Sequence, residues 1–282
     1  MSKIGIVVCG NSGLDYVNVN YPIRMIRSTV SLDNKEYEDY VDITAEEFYQ
    51  KVVDNPNIQL STSQTSTGVI ANVYEDLKSE GCTDILVITV SSKLSGTFQG
   101  AALASELVSD VKFHLIDSKS VSHGEAYLVF EAIKMIENGK SIDQIVEKLE
   151  EMRDNVTIYI LVDTLKYLIK NGRLSATSGF IGSLLKIKPL LKIEKDGSLL
   201  PFEKIRTTKK ARERLLQIVV EDLKNIDADI FIAYTNNKKE AEELRNELLT
   251  LTSVTNIDLV PLTPVVGAHA GPGTIGLGFI KK

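Results

Sequence analysis

Short apolar runs alternating with longer helical patterns constrain this 282-residue chain more than any other feature. Residues 4–9, 85–90, 112–117 and 157–162 each read as a buried strand. Each is followed by a polar or glycine-bearing turn and then a helical pattern. Repeated strand–turn–helix units favour a parallel sheet, because a parallel pair needs a crossover and the helix supplies it. Thr44-Ala45-Glu46-Glu47 and Ser141-Ile142-Asp143-Gln144 have the spacing of capping boxes, in which the first and fourth side chains satisfy each other's backbone N–H groups. Gly81, Gly139 and Gly172 stand where helices end, a position that favours glycine's left-handed backbone.

The second half changes character. Residues 189–195 and 199–205 flank Asp196-Gly197, a hairpin signal. A charged helix is expected over 209–224, a strand over 230–234 and a helix over 238–251. Residues 261–280 are rich in glycine and apolar side chains. The fold class expected is α/β in two closely packed domains. Residues 1–160 are expected to form a parallel-sheet α/β domain, and 161–282 a two-layer α/β domain with a mixed sheet. No Gly/Ser/Pro-type linker separates them, and no internal repeat or low-complexity tract is visible.

Composition excludes several functions. The formal net charge of -6 does not draw a polyanion to the molecule as a whole, so nucleic acid is not an expected partner. Hydrophobic content is 43% and charged content 25%, enough to bury a core with a cavity beside it. The longest apolar runs are too short to cross a bilayer, so stable membrane insertion is not expected. Met1-Ser2-Lys3 leads straight into a strand with no signal peptide. Cys9 and Cys82 lack metal-type spacing and read as buried thiols in a reducing compartment, which places the protein in the cytoplasm. Neither a phosphate-binding loop, a dinucleotide fingerprint, a nucleophile elbow nor a metal cluster occurs, so no catalytic residue, metal site or cofactor is expected.

Hydroxyls gather instead. Six of the nine residues from Leu60 to Gly68 are Ser or Thr, and a helix is expected to follow over 69–77. Val90-Ser91-Ser92-Lys93-Leu94-Ser95-Gly96-Thr97 follows a strand and opens another helix. Hydroxyls and free N–H groups at a helix start suit an anion, and they equally suit plain capping. Thr62 and Ser95 are one helix-and-strand unit apart, so their turns can face one another at one sheet edge. Asp117-Ser118-Lys119-Ser120 is a third such turn, with Asp117 read as a buried cap for the next helix. Arg173, in Asn171-Gly172-Arg173-Leu174-Ser175, can pair with carboxylate or phosphate oxygens or make a salt bridge. Arg206 has the same two readings. His114 reads as structural and His123 as a surface or capping residue. His269 lies in Gly267–Gly273, read as a tight glycine-rich loop, which is a better place for a working imidazole.

Taken in order, the stretches resemble the DegV family of fatty-acid-binding proteins. The matching residues are Thr62-Ser63-Gln64, Ser91-Ser92 with Leu94-Ser95-Gly96-Thr97, and Asp117-Ser118. Val162-Asp163-Thr164-Leu165 follows, then Asn171-Gly172-Arg173, Lys188-Pro189 and His269-Ala270-Gly271-Pro272-Gly273. The resemblance implies a two-domain fold with a Rossmann-like first domain, residues 1–160, and a long-chain fatty acid in a tunnel between the domains. Its carboxylate would be held by Thr62 or Ser63 and Ser95, with Ser92 a further candidate. In some bacteria such proteins carry the acid to a separate kinase that makes the acyl phosphate for phospholipid synthesis. Arg173, Arg206 and His269 fall at positions expected near the exposed carboxylate, where that kinase would dock. The chain would then be a lipid-binding substrate carrier and not itself an enzyme. The alternatives are a stand-alone phosphotransferase of small hydroxy ketones and a lipid-sensing regulator. Two departures from the family pattern stand out. Val8-Cys9-Gly10-Asn11-Ser12 replaces an Asp-Ser-Thr-type segment, which leaves polar contacts from that turn unexpected. Thr65 replaces a proline, which is expected to loosen its turn.

Overall fold

The computed structural model describes residues 3–174 and 188–282. Strands β1 (Ile4–Cys9), β2 (Ile23–Ile26), β6 (Asp84–Thr89) and β7 (Lys112–Asp117) form a parallel sheet in the order β2-β1-β6-β7. Side chains alternate across it. Val7, Cys9, Ile85 and Val87 meet helices α2 (Thr67–Ser79) and α3 (Thr97–Ser105) on one face. Ile6, Val8, Leu86 and Ile88 meet α4 (His123–Glu137) and α5 (Ile142–Arg153) on the other. Both faces are covered, so the two central strands, β1 and β6, are near-continuous apolar runs, as is usual for buried parallel strands. Both capping boxes form: Thr44 starts α1 (Ala45–Asp54) and Ser141 starts α5. Gly81, Gly139 and Gly172 all take positive φ where the sequence placed helix ends.

The second sheet has the order β10-β9-β8-β13-β11-β12. Its strands are β8 (Val156–Leu161), β9 (Lys188–Ile193), β10 (Leu199–Ile205), β11 (Ala228–Tyr234), β12 (Ile257–Pro261) and β13 (Ile275–Lys281). Only β11 and β12 pair in parallel; the other pairs are antiparallel, and the sheet is mixed as expected. The expected boundary at 160/161 falls inside β8, all of which belongs to this sheet. Helices α7 (Thr208–Asp222) and α8 (Lys238–Leu251) cover one face through Leu215, Val219, Leu244 and Leu248. The other face carries Ile158, Leu191, Ile193, Phe231 and Ala233 and packs toward the first half of the chain. Helix α4 is caught between the two sheets, which is why residues 123–129 are all buried.

A third sheet lies outside the sequence reading. Strands β3 (Thr29–Leu32), β4 (Lys35–Glu38) and β5 (Leu60–Ser63) pair antiparallel in the order β4-β3-β5. Asp33-Asn34 joins β3 to β4 with φ of 49° and 69°, the left-handed pair that a tight two-residue hairpin requires. Two short helices complete the frame, α6 (Lys166–Lys170) and α9 (Pro264–Ala270). No helix among the described residues is long and apolar enough to cross a membrane.

Candidate functional site

The carboxyl ends of β6 and β7 are stitched to each other. The Ser91 amide donates to the Ser120 carbonyl at 2.8 Å, and the Ser92 amide donates to Asp117 Oδ1 at 3.2 Å. The same Asp117 oxygen accepts the Lys119 amide at 3.0 Å. Asp117 therefore ties two turns together and does not cap α4, whose N-cap residue Ser122 makes no side-chain cap. Beyond Ser92 the turn carries Leu94 and Ser95 into α3. The Ser95 hydroxyl pairs with the Thr97 hydroxyl at 2.8 Å and accepts the Thr97 amide at 3.3 Å.

Thr62 and Ser63 do not sit in a helix-capping turn. They belong to β5, where Thr62 pairs with Val30 and Ser63 with Thr29, and the cap of α2 is Ser66. The third sheet takes these residues out of the turn. The turn after it is not loose. Thr65 is buried, and its hydroxyl donates to the Arg27 carbonyl at 2.7 Å, giving the turn an anchor in place of proline.

His269 is likewise not in a loop. It lies in the last turn of α9, because Pro264 can start a helix and Gly271, at φ 78°, ends it. Its Nε2 lies 2.9 Å from the Thr62 hydroxyl oxygen. Its Nδ1 is buried with no hydrogen-bond partner among the described residues. Burial, and then the nearby Arg173 charge, push the imidazole down to about 4, so it is neutral at pH 7. Arg173 follows Gly172, which ends α6 at φ 70°. The guanidinium donates from Nε to the Leu94 carbonyl at 3.0 Å and from Nη1 to the Asn171 carbonyl at 2.7 Å. Asn171 in turn donates to the Ala268 carbonyl at 2.9 Å, fastening this segment to α9.

These pieces enclose a cavity of about 340 Å³. Thr62, Ser63, Gln64, Ser95, Arg173 and His269 supply polar lining, with Ser63 and Gln64 exposed at the mouth. Val121, Ile160, Val162, Ile193, Leu199 and Val266 make the apolar wall. The size and the mix of an apolar wall with a few convergent polar groups suit a small apolar ligand with a polar end. Ser92 and Arg206 do not line it. Ser92 is half-buried beside Asp117, and Arg206 is exposed beyond the end of β10. Ser175 lies outside the described residues.

The first turn contributes after all. Asn11 lines the cavity and its amide reaches Glu125 Oε2 at 3.5 Å. The Cys9 amide donates to Glu125 Oε1 at 3.2 Å. Burial, and a smaller repulsion from Asp117, push the Glu125 carboxyl well above the usual carboxylate range. Asn11 and Ser28, which also lines the cavity, carry no sequence signal of their own. Their place depends on how β1 and β2 end beside α4. His114 is structural as expected, with Nε2 3.1 Å from Asp84 Oδ1. His123 is not a surface residue: it is 1% exposed, among Tyr127, Phe130 and Phe231. No group of three or more His, Cys, Asp or Glu side chains among the described residues could hold a metal ion.

A family model described as "Uncharacterised protein, DegV family" matches residues 3–282. A DegV domain-containing protein of Clostridium acetobutylicum is 36% identical over the full length of both chains. A fatty acid binding DegV family protein from Streptococcus agalactiae has a similar crystal structure, with a TM-score of 0.92 and 28% identity over all of both chains. So does DegV, a fatty acid binding protein from Bacillus subtilis, with a TM-score of 0.89 and 30% identity over all of both chains.

Proposed function

The chain belongs to the DegV family, and from that premise we propose that it binds a long-chain fatty acid in this cavity, carboxylate at the mouth. The observation that carries the reading is the division of the lining, with Thr62, Ser95, Arg173 and His269 on the polar side and Ile160, Val162, Ile193 and Leu199 on the apolar side. Fatty acid binding by the similar proteins from Streptococcus agalactiae and Bacillus subtilis supports it. Burying each methylene contributes about 0.8 kcal/mol, so roughly a dozen give about 10 kcal/mol before the cost of immobilising the ligand. The acyl chain therefore sets affinity, and the hydroxyls orient the carboxylate and offset its desolvation.

The finer reading is that the chain carries this acid, in the cytoplasm, to a separate kinase that phosphorylates the carboxylate. A carboxylate at the mouth is reachable from outside, and Arg173 can stabilise charge as the acyl phosphate forms. Arg206, exposed and away from the cavity, serves the docking surface in this reading. Titration with palmitate and oleate tests the binding step. The double variant Thr62→Ala with Ser95→Ala should bind about tenfold or more weakly, since a hydrogen bond to a charged group contributes roughly 1.5–3 kcal/mol. Unchanged affinity in the double variant would contradict the assignment of these hydroxyls.

A further inference from the structure

Next to Ser28 of the cavity lining lies a buried carboxylate that the binding reading does not use. Asp39 follows β4 and is 1% exposed. Its backbone is fixed on both sides: its amide donates to the Ser28 carbonyl at 3.1 Å, and its carbonyl accepts Arg27 Nη1 at 3.3 Å. Tyr40, at φ 69°, turns the chain immediately after it. The side chain is directed at the start of α9, where the Thr263 hydroxyl and the Val265 amide are the groups that favour its ionised form most. Even so, neither carboxylate oxygen has a hydrogen bond of good geometry among the described residues, and the Thr263 hydroxyl is also unpaired. A buried carboxylate left this way costs stability, so its retention needs a reason.

The element it touches carries the site. Val265, Val266 and His269 of α9 and Ser28 beside Asp39 all line the cavity. Helix α9 is gripped elsewhere by the Tyr49 hydroxyl on the Leu262 carbonyl at 3.0 Å and by Asn171 on Ala268. The Asp39 carboxyl faces its first turn, at Thr263 and Val265. We propose that Asp39 is a positioning residue for the ligand cavity: its carboxylate, set under the first turn of α9, fixes where that helix places His269 against Thr62 and so tunes how tightly an anionic headgroup is held. This rests on the fatty-acid reading above.

The inference makes binding depend on pH. Ionised Asp39 attracts the Thr263 hydroxyl, the Val265 amide and Arg27, and protonated Asp39 releases them. Burial pushes Asp39 up to about 7, against the pull of Thr263, Val265 and Arg27, with Asp15 pushing the same way as burial. The other groups facing this site are Arg27 and Asp15, which pair at 2.7 Å, with Glu38, Tyr16, Tyr40 and Tyr49. Hydrogen bonding to Asp15 raises Arg27, and burial raises Tyr16 and Tyr49, so these move away from neutrality. His269, near 4, also lies below the window.

The test compares palmitate affinity of the whole protein and of Asp39→Asn from pH 5.5 to 8.5, as a ratio, which cancels the ligand's own ionisation. Asparagine mimics the protonated acid, so the ratio should be near unity at low pH. It should rise about fivefold or more through pH 7, the size of a modest coupling between sites. Thr263→Val, which removes a group favouring the ionised form, should move the midpoint of the whole protein's profile upward and serves if Asp39→Asn does not fold. A flat ratio, or a midpoint unmoved in Thr263→Val, overturns the role of Asp39 while leaving fatty-acid binding intact. No palmitate binding by the whole protein at any pH overturns the binding reading, and this inference with it.

Discussion

Single residues divide into those whose type announces a role and those whose role depends on distant packing. Thr62, Ser95 and Arg173 stood out in the sequence by type, two hydroxyls in Ser/Thr-rich stretches and a guanidinium after a helix-ending glycine, and all three line one cavity. Asn11, Ser28 and Asp39 were not, because nothing local distinguishes them from ordinary surface polar residues. The histidines show the same limit. Ser122-His123 looks like a helix start, yet α4 lies between two sheets and buries His123 in an aromatic cluster. Burial pushes its imidazole down to about 4, a shift opposed by Asp258. The unfolded chain takes up a proton near the ordinary value of about 6.5 and the folded chain does not, so stability falls as pH drops from about 6.5 toward 4. His123 alone accounts for up to about 3 kcal/mol of that loss. The variant His123→Phe, lacking the titration, should lose correspondingly less stability between pH 7 and pH 4, read by urea unfolding at each pH. Parallel pH profiles for the two proteins would show that His123 is not kept neutral by the fold.

At the scale of elements, the parallel strands β1, β6 and β7, the Asp196-Gly197 hairpin and both capping boxes were legible, because periodicity and capping are local properties, whereas β2 carries no such run and β8 joined the mixed sheet. The third sheet was not: β3 and β4 are four residues each, and β5 reads as a hydroxyl-rich loop because its neighbours, not its composition, make it a strand. That sheet nevertheless brings Thr62 to His269 across 207 residues of sequence. Helix α9 was masked by Gly267 and the glycines that follow it, and it forms because Pro264 starts it and Tyr49 and Asn171 hold it in place. Gly278 of β13 has a different cause. A Cβ at Gly278 would overlap the Phe231 ring on the neighbouring strand and meet Ile158 Cγ1 at 3.1 Å. Gly278→Val should therefore destabilise the protein by about 1–3 kcal/mol or more through overpacking, without touching the cavity lining. Denaturant unfolding checks this, and a stability equal to the parent's would mean the core yields at that place.

At the scale of the whole molecule, the α/β plan with a parallel sheet and a mixed sheet follows from the order of strands and helices, and the sheets share a hydrophobic core. The cavity follows from neither half alone. Its wall takes Val121 from the first sheet's turns, Ile160 and Ile193 from the second sheet, Thr62 from the third and Val266 from α9. In the proposed reading this cavity, with a polar and an apolar side to its lining, holds a long-chain acid, and a tightly held one should survive purification. The most direct measurement is to purify the protein from its expression host, denature it, extract it with organic solvent and analyse the extract by mass spectrometry. The account predicts long-chain fatty acid in roughly stoichiometric amount, reduced in the Thr62→Ala, Ser95→Ala variant. An extract free of fatty acid, from a protein that also fails to take up added palmitate or oleate, would contradict it.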